Sequence, residues 1–123
     1  MTLSQNETPM ETILVLEDNP MLALDAATAV ADAGFDVAIT ARCGEALAML
    51  EGVRFKCAIL DFNLLDGDSV IVAKRLMEMG TPFRIVSGRP IAEIASSGIP
   101  ADFILAKPAD YHDVTGMLTR MHA

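Results

Sequence analysis

Short uninterrupted apolar runs alternate along this chain with stretches where apolar residues recur every three or four positions, and glycine or proline stands at most of the joins. The runs predict strands at about 12–17, 35–40, 56–61, 82–87 and 102–106. Four of them lack in-and-out alternation, the pattern of strands covered on both faces. Strand and helix in turn, joined by right-handed crossovers, give an α/β fold: a doubly wound, five-stranded parallel sheet with helices on both faces. Ligands of such sheets bind beyond the carboxyl ends of the strands.

The first helix is predicted to start with Asn19 as cap and Pro20 in its first turn, where a missing amide proton costs nothing, and to stop at Gly34. Leu22, Ala26 and Val30 form its inward face. A second helix over about 44–51 turns Leu47 and Leu50 inward; a third, from about Asp68 and Ser69, buries Val70, Ala73 and Met77; Gly52 and Gly80 end them. The last, over about 109–121, carries Val114, Met117, Leu118 and Met121 on one stripe, with Tyr111, His112 and His122 expected at the surface. Between Ser87 and Asp102, the residues Pro90, Ser96, Ser97, Gly98 and Pro100 leave room for only two turns around 91–95, a helix marginal by itself.

With 123 residues and 52% hydrophobic content, the chain reads as one domain over 12–123 behind a polar tail at 1–11. The net charge of -8 argues against nucleic-acid or anionic-membrane surfaces, which need clusters of Lys and Arg, so the expected partner is a protein. Residues 1–12 lack the pattern of a signal peptide, and Asp25, Asp32 and Asp36 interrupt the best candidate for a membrane span, which points to a cytoplasmic protein with no membrane contact. Cys43 and Cys57 are too few for a zinc site: Cys57 reads as an inert core thiol, and Cys43, expected near a turn and open to solvent, has no basic neighbour to activate it.

The candidate chemistry lies where apolar runs end in acid. The run Ile13-Leu14-Val15-Leu16 ends in Glu17 and Asp18, and Cys57-Ala58-Ile59-Leu60 ends in Asp61, followed by the polar loop Phe62-Asn63-Leu64-Leu65-Asp66-Gly67-Asp68. If these runs are neighbouring parallel strands, three carboxylates meet at one sheet edge and repel each other unless a cation joins them. Ser87 and Lys107 end the fourth and fifth strands at the same edge.

In that order, Leu16-Glu17-Asp18-Asn19-Pro20, Ile59-Leu60-Asp61, Val86-Ser87-Gly88 and Ala106-Lys107-Pro108 resemble the receiver domains of response regulators in two-component signalling, over residues 12 to 121. The resemblance implies a flavodoxin-like strand order 2-1-3-4-5. It also implies a phosphoacceptor switch in a phosphorelay rather than an enzyme acting on other substrates. Asp61 would take a phosphoryl group from a histidine of a kinase or phosphotransfer protein. Asp18, Asp61 and the Asn63 carbonyl would hold Mg2+ directly and Glu17 through water, while Ser87 and Lys107 would engage the phosphoryl oxygens. Phosphorylation then favours one of two conformations and is relayed by protein contacts, with homodimerisation left open. In this family the peptide bond after the lysine is commonly cis, here Lys107-Pro108.

Departures from the family pattern bear on the relay. Leu65 replaces the usual proline four residues past the acceptor, and the shortened approach to Gly67 resembles a subgroup of small stand-alone receivers. Ile104 holds the place of the usual inward-turning aromatic. Phe103, one residue earlier, should face the other side of the sheet unless a bulge intervenes. The segment 88–98 is then the candidate for the response, through a change in its order. Arg89 stands where family members tune the lifetime of the phosphoryl group by gating water, and a long cation there either screens the site or is simply solvated. Two rival readings are a receiver-fold binding module that is never phosphorylated, and a Mg-dependent phosphatase with an aspartate nucleophile. The second needs a general acid where this chain has Asn63.

Overall fold

Apolar strands with both faces covered need helices above and below, and the chain supplies them in turn. The computed structural model describes residues 10–121, so most of the expected tail and His122 lie outside the described residues. The strands are β1 (Thr12–Leu16), β2 (Asp36–Thr40), β3 (Cys57–Asp61), β4 (Asn63–Leu64), β5 (Gly67–Asp68), β6 (Phe83–Ser87) and β7 (Ile104–Ala106). The helices are α1 (Pro20–Asp32), α2 (Cys43–Gly52), α3 (Val70–Met79), α4 (Ile91–Ala95) and α5 (Tyr111–Thr119), with a 3-10 turn at Ala101–Phe103. Five strands form one parallel sheet in the order β2-β1-β3-β6-β7, which is 2-1-3-4-5 when the main-sheet strands alone are counted.

Each face of the sheet carries its own core. Ile13, Val15, Cys57, Ile59 and Val86 pack with Ala26, Ala29 and Val30 of α1 and Val114 and Leu118 of α5. Leu14, Leu16, Ala58, Leu60, Phe83, Ile85 and Ile104 pack with α2, α3 and α4 on the other face. Continuous burial holds for the central strands β1, β3 and β6; the edge strand β2 exposes Asp36 and Ile39 because it has a strand neighbour on one side only.

The helix boundaries follow from local chemistry. Asn19 Oδ1 accepts hydrogen bonds from the Met21 and Leu22 amides at 2.9 and 3.2 Å, and Pro20 takes the first helical position. Asp110 caps α5 in the same way through the His112 and Asp113 amides. Gly80 ends α3 with φ of 71°, a left-handed conformation that glycine adopts without steric cost.

Several expectations are corrected. The inward face of α3 is Val72, Ala73 and Leu76, whereas Met77 is 40% exposed: Val70, Ile71, Val72, Ala73, Leu76 and Met77 are all apolar, so the sequence offers more than one stripe, and packing against the sheet selects the one through Leu76. Tyr111 is buried, because with Val114 and Leu118 it continues the inward stripe of α5. Cys43 is buried as the first residue of α2, and burial, aided by the charge of Asp66, pushes its thiol up to about 11; burial pushes Cys57 to about 12. Phe103 lies in the 3-10 turn rather than in a strand, so strand alternation does not apply to it. Its ring packs on the same face as Ile104, edge-on to Phe83 with centroids 5.0 Å apart. The short α4 is better anchored than its length implies, since Ile94 and Ile99 are both fully buried.

Candidate functional site

The register of the sheet brings the acids together. Leu16 pairs with Leu60, so Glu17 and Asp61 are the next residues at the carboxyl ends of adjacent strands, and Asp18 opens the turn into α1. One carboxylate oxygen from each of Glu17, Asp18 and Asp61 lies within 4.8 Å of the others. On the other side of β3, Asp61 pairs with Val86 and Ser87 pairs with Ala106, which sets Ser87 and Lys107 one residue further along the same edge. The Lys107 amide donates to the Ser87 carbonyl at 2.8 Å, fixing where the lysine leaves the sheet, and the Lys107-Pro108 bond is cis.

Lys107 is the counter-charge of this edge. Its Nζ donates to Asp61 Oδ1 at 3.0 Å and lies 3.5 Å from Glu17 Oε1. Burial alone would lower the lysine, but the hydrogen bond and charge of Asp61, with the charge of Glu17, leave it raised and therefore ammonium. One ammonium faces three carboxylates, so the edge keeps an excess of negative charge. Glu17 carries that excess: burial raises its carboxyl from 4.5 to about 6, the Asn19 amide bonded to Oε2 at 3.1 Å pulls it part of the way back, and the charge of Asp61 adds to the rise.

Ser87 is buried, and its Oγ accepts from the Arg89 amide at 3.0 Å; among the described residues its own hydroxyl proton meets no acceptor. Arg89 turns aside to pair with Glu93 at 2.8 Å, with its guanidinium carbon 5.9 Å from the centre of the Phe62 ring. Asn63, exposed and two residues past Asp61, opens the β4–β5 hairpin.

Two residues near the site were not expected there. Tyr111 lines a small crevice with Glu17 and Asp61, and the period 111, 114, 118 is the signal that places it inward. Asp66, in the hairpin turn, bonds the Cys43 and Gly44 amides at 2.7 and 3.0 Å, and those bonds hold its carboxyl below the usual range. No local sequence signal marks that contact, which joins positions more than twenty residues apart.

No family model matches the sequence, and no curated protein matches it. Solved structures do match. A response regulator receiver protein from Sinorhizobium medicae is 29% identical with a TM-score of 0.76, covering 90% of this chain and 96% of its own. A response regulator receiver domain protein from Methanospirillum hungatei is 23% identical with a TM-score of 0.78, covering 89% and 91%.

The chain has the receiver-domain fold.

A chemotaxis response regulator of Vibrio cholerae shares the receiver fold as well, at 23% identity and a TM-score of 0.74 over 91% of this chain and 98% of its own. Within that fold the acid cluster, Ser87 and Lys107 share the edge where open α/β sheets bind ligands. No described helix is long and apolar enough to cross a membrane.

Proposed function

We propose that the protein is a phosphoacceptor signalling switch whose acceptor is Asp61. The observation that carries the reading is the Lys107 ammonium seated on Asp61 beside Glu17, inside a cluster of three carboxylates. That arrangement supplies a positive charge beside the atom that would react.

In the reaction, an Asp61 oxygen attacks the phosphorus of a phosphohistidine on a kinase or phosphotransfer protein. The new O–P bond forms as the P–N bond breaks, and the electron pair returns to the imidazole, which takes up a proton. Lys107, freed from the carboxylate, pairs with a phosphoryl oxygen, and the unpartnered Ser87 proton is available to donate to another. Hydrolysis of the aspartyl phosphate later restores the carboxylate and releases inorganic phosphate. The cytoplasmic location expected from the sequence belongs with this reading.

The donor set fits a hard divalent cation, because the clustered groups are all carboxylate oxygens and their charge exceeds that of Lys107. Asp18, Asp61 and the Asn63 carbonyl would hold Mg2+, with Glu17 behind them. When bound, it supplies positive charge against the incoming phosphoryl oxygens.

The test is incubation with acetyl phosphate and Mg2+ followed by intact mass. The native protein should gain one phosphoryl group and Asp61→Asn none. A native protein that stays unmodified while its phosphotransfer donors are also rejected refutes the reading.

A further inference from the structure

Helix α2 begins without a cap of its own: Arg42 stands at the N-cap and makes no side-chain hydrogen bond to the helix. Its free amides are satisfied instead from the β4–β5 hairpin, where Asp66 Oδ1 accepts from Cys43 and Oδ2 from Gly44. Two further bonds close the same seam, from the Leu65 amide to the Ala41 carbonyl at 3.2 Å and from Cys43 Sγ to the Asp68 carbonyl at 3.2 Å. The hairpin is small, with Asn63 opposite Asp68 and Leu64 opposite Gly67, and Leu64 is its one buried apolar side chain. At its base the Ser69 amide donates to the Phe62 carbonyl at 2.8 Å.

Glu17, Asp18 and Asp61 are placed by strands of the main sheet and their immediate ends, but Asn63 is placed by this hairpin. We propose that Asp66 is a positioning residue for the metal site: by clamping the hairpin tip to the start of α2, it fixes the Asn63 carbonyl relative to the Asp61 carboxylate. This rests on the metal-assisted reading above. The clamp also ties the acceptor loop to the β2–α2 corner, so that ion binding and order at the start of α2 are linked in both directions.

The experiment is an amide NMR titration with MgCl2, combined with hydrogen exchange at Cys43 and Gly44, on the native protein, Asp66→Ala and Asp66→Asn. Asp66→Ala should raise the Mg2+ Kd about tenfold, the usual effect of removing a group that orients a ligand. It should also speed exchange at both amides, while Asp66→Asn, which keeps one acceptor oxygen, lies between. In the native protein, saturating Mg2+ should slow exchange at Cys43 and Gly44. An Asp66→Ala Kd within about twofold of native, with those amides deprotected, overturns the inference alone. A native protein without saturable Mg2+ binding overturns the metal site of the proposed function, and shows it before any variant is compared.

Discussion

Replacing Glu17 with glutamine should make the metal-free protein more stable near neutral pH. Glu17 is 5% exposed, and its carboxyl is raised from 4.5 to about 6, so the folded state binds that proton more tightly than the unfolded chain. Stability from this group is therefore fully present below pH 4.5, falls as pH rises from there to about 6, and stays lost above. A shift of this size corresponds to about 2 kcal/mol, which screening by water at the open mouth of the site reduces to about 1 kcal/mol. The shift is net of the attraction to Lys107 and the Asn19 hydrogen bond, and glutamine can still accept the latter. Urea unfolding should therefore show Glu17→Gln ahead of native by about 1 kcal/mol near pH 7, a midpoint shift of roughly 0.5 M, with the difference vanishing near pH 4. Adding Mg2+ should reverse the order, because an ion at about 100 times its Kd stabilises the native protein by about 2.7 kcal/mol and the variant by less. A variant less stable than native near pH 7, or a difference that does not change with pH, refutes the account of the acid cluster.

Lys107→Ala should keep the fold and slow phosphorylation by acetyl phosphate by about a hundredfold, measured by intact mass against time; an unaltered rate removes the lysine from the chemistry. Ile94→Ala should cost about 2–4 kcal/mol in urea unfolding, because Ile94 is fully buried in the core shared with β6 and β7, and a loss well under 1 kcal/mol would mean that α4 is not part of that core. Beryllofluoride with Mg2+ should change hydrogen exchange over 88–98 in the native protein, and unchanged protection there excludes this segment as the carrier of the response.

The chemistry of the edge was written locally in the sequence. Apolar runs ending in Glu17-Asp18, Asp61, Ser87 and Lys107 give both the strands and the residues at their carboxyl ends, because in a parallel sheet the residue after each run must emerge on the same side. The caps at Asn19 and Gly80 were equally legible, since each acts through hydrogen bonds or dihedrals within a few residues of itself.

Only the tertiary structure decided the rest, and in each case the cause is a contact between distant positions. The two-residue strands of the β4–β5 hairpin are too short to show a period, and the bonds that tie the hairpin to α2 and to Ala41 just ahead of it, from Asp66, Leu65 and Asp68, join positions far apart in the chain. The buried face of α3 was left open by a sequence with apolar residues at 70–73, 76 and 77, and packing in the core shared with β3, β6 and α2 selected it. Phe103 joined the face of Ile104 because a 3-10 turn, stabilised by packing on Phe83, took the place of strand there. Local sequence determined which groups reach the sheet edge; the fold alone determined that Lys107 is held between Asp61 and Glu17 and that Asp66 reaches back across the chain, because both depend on distances between side chains that no spacing in the sequence contains.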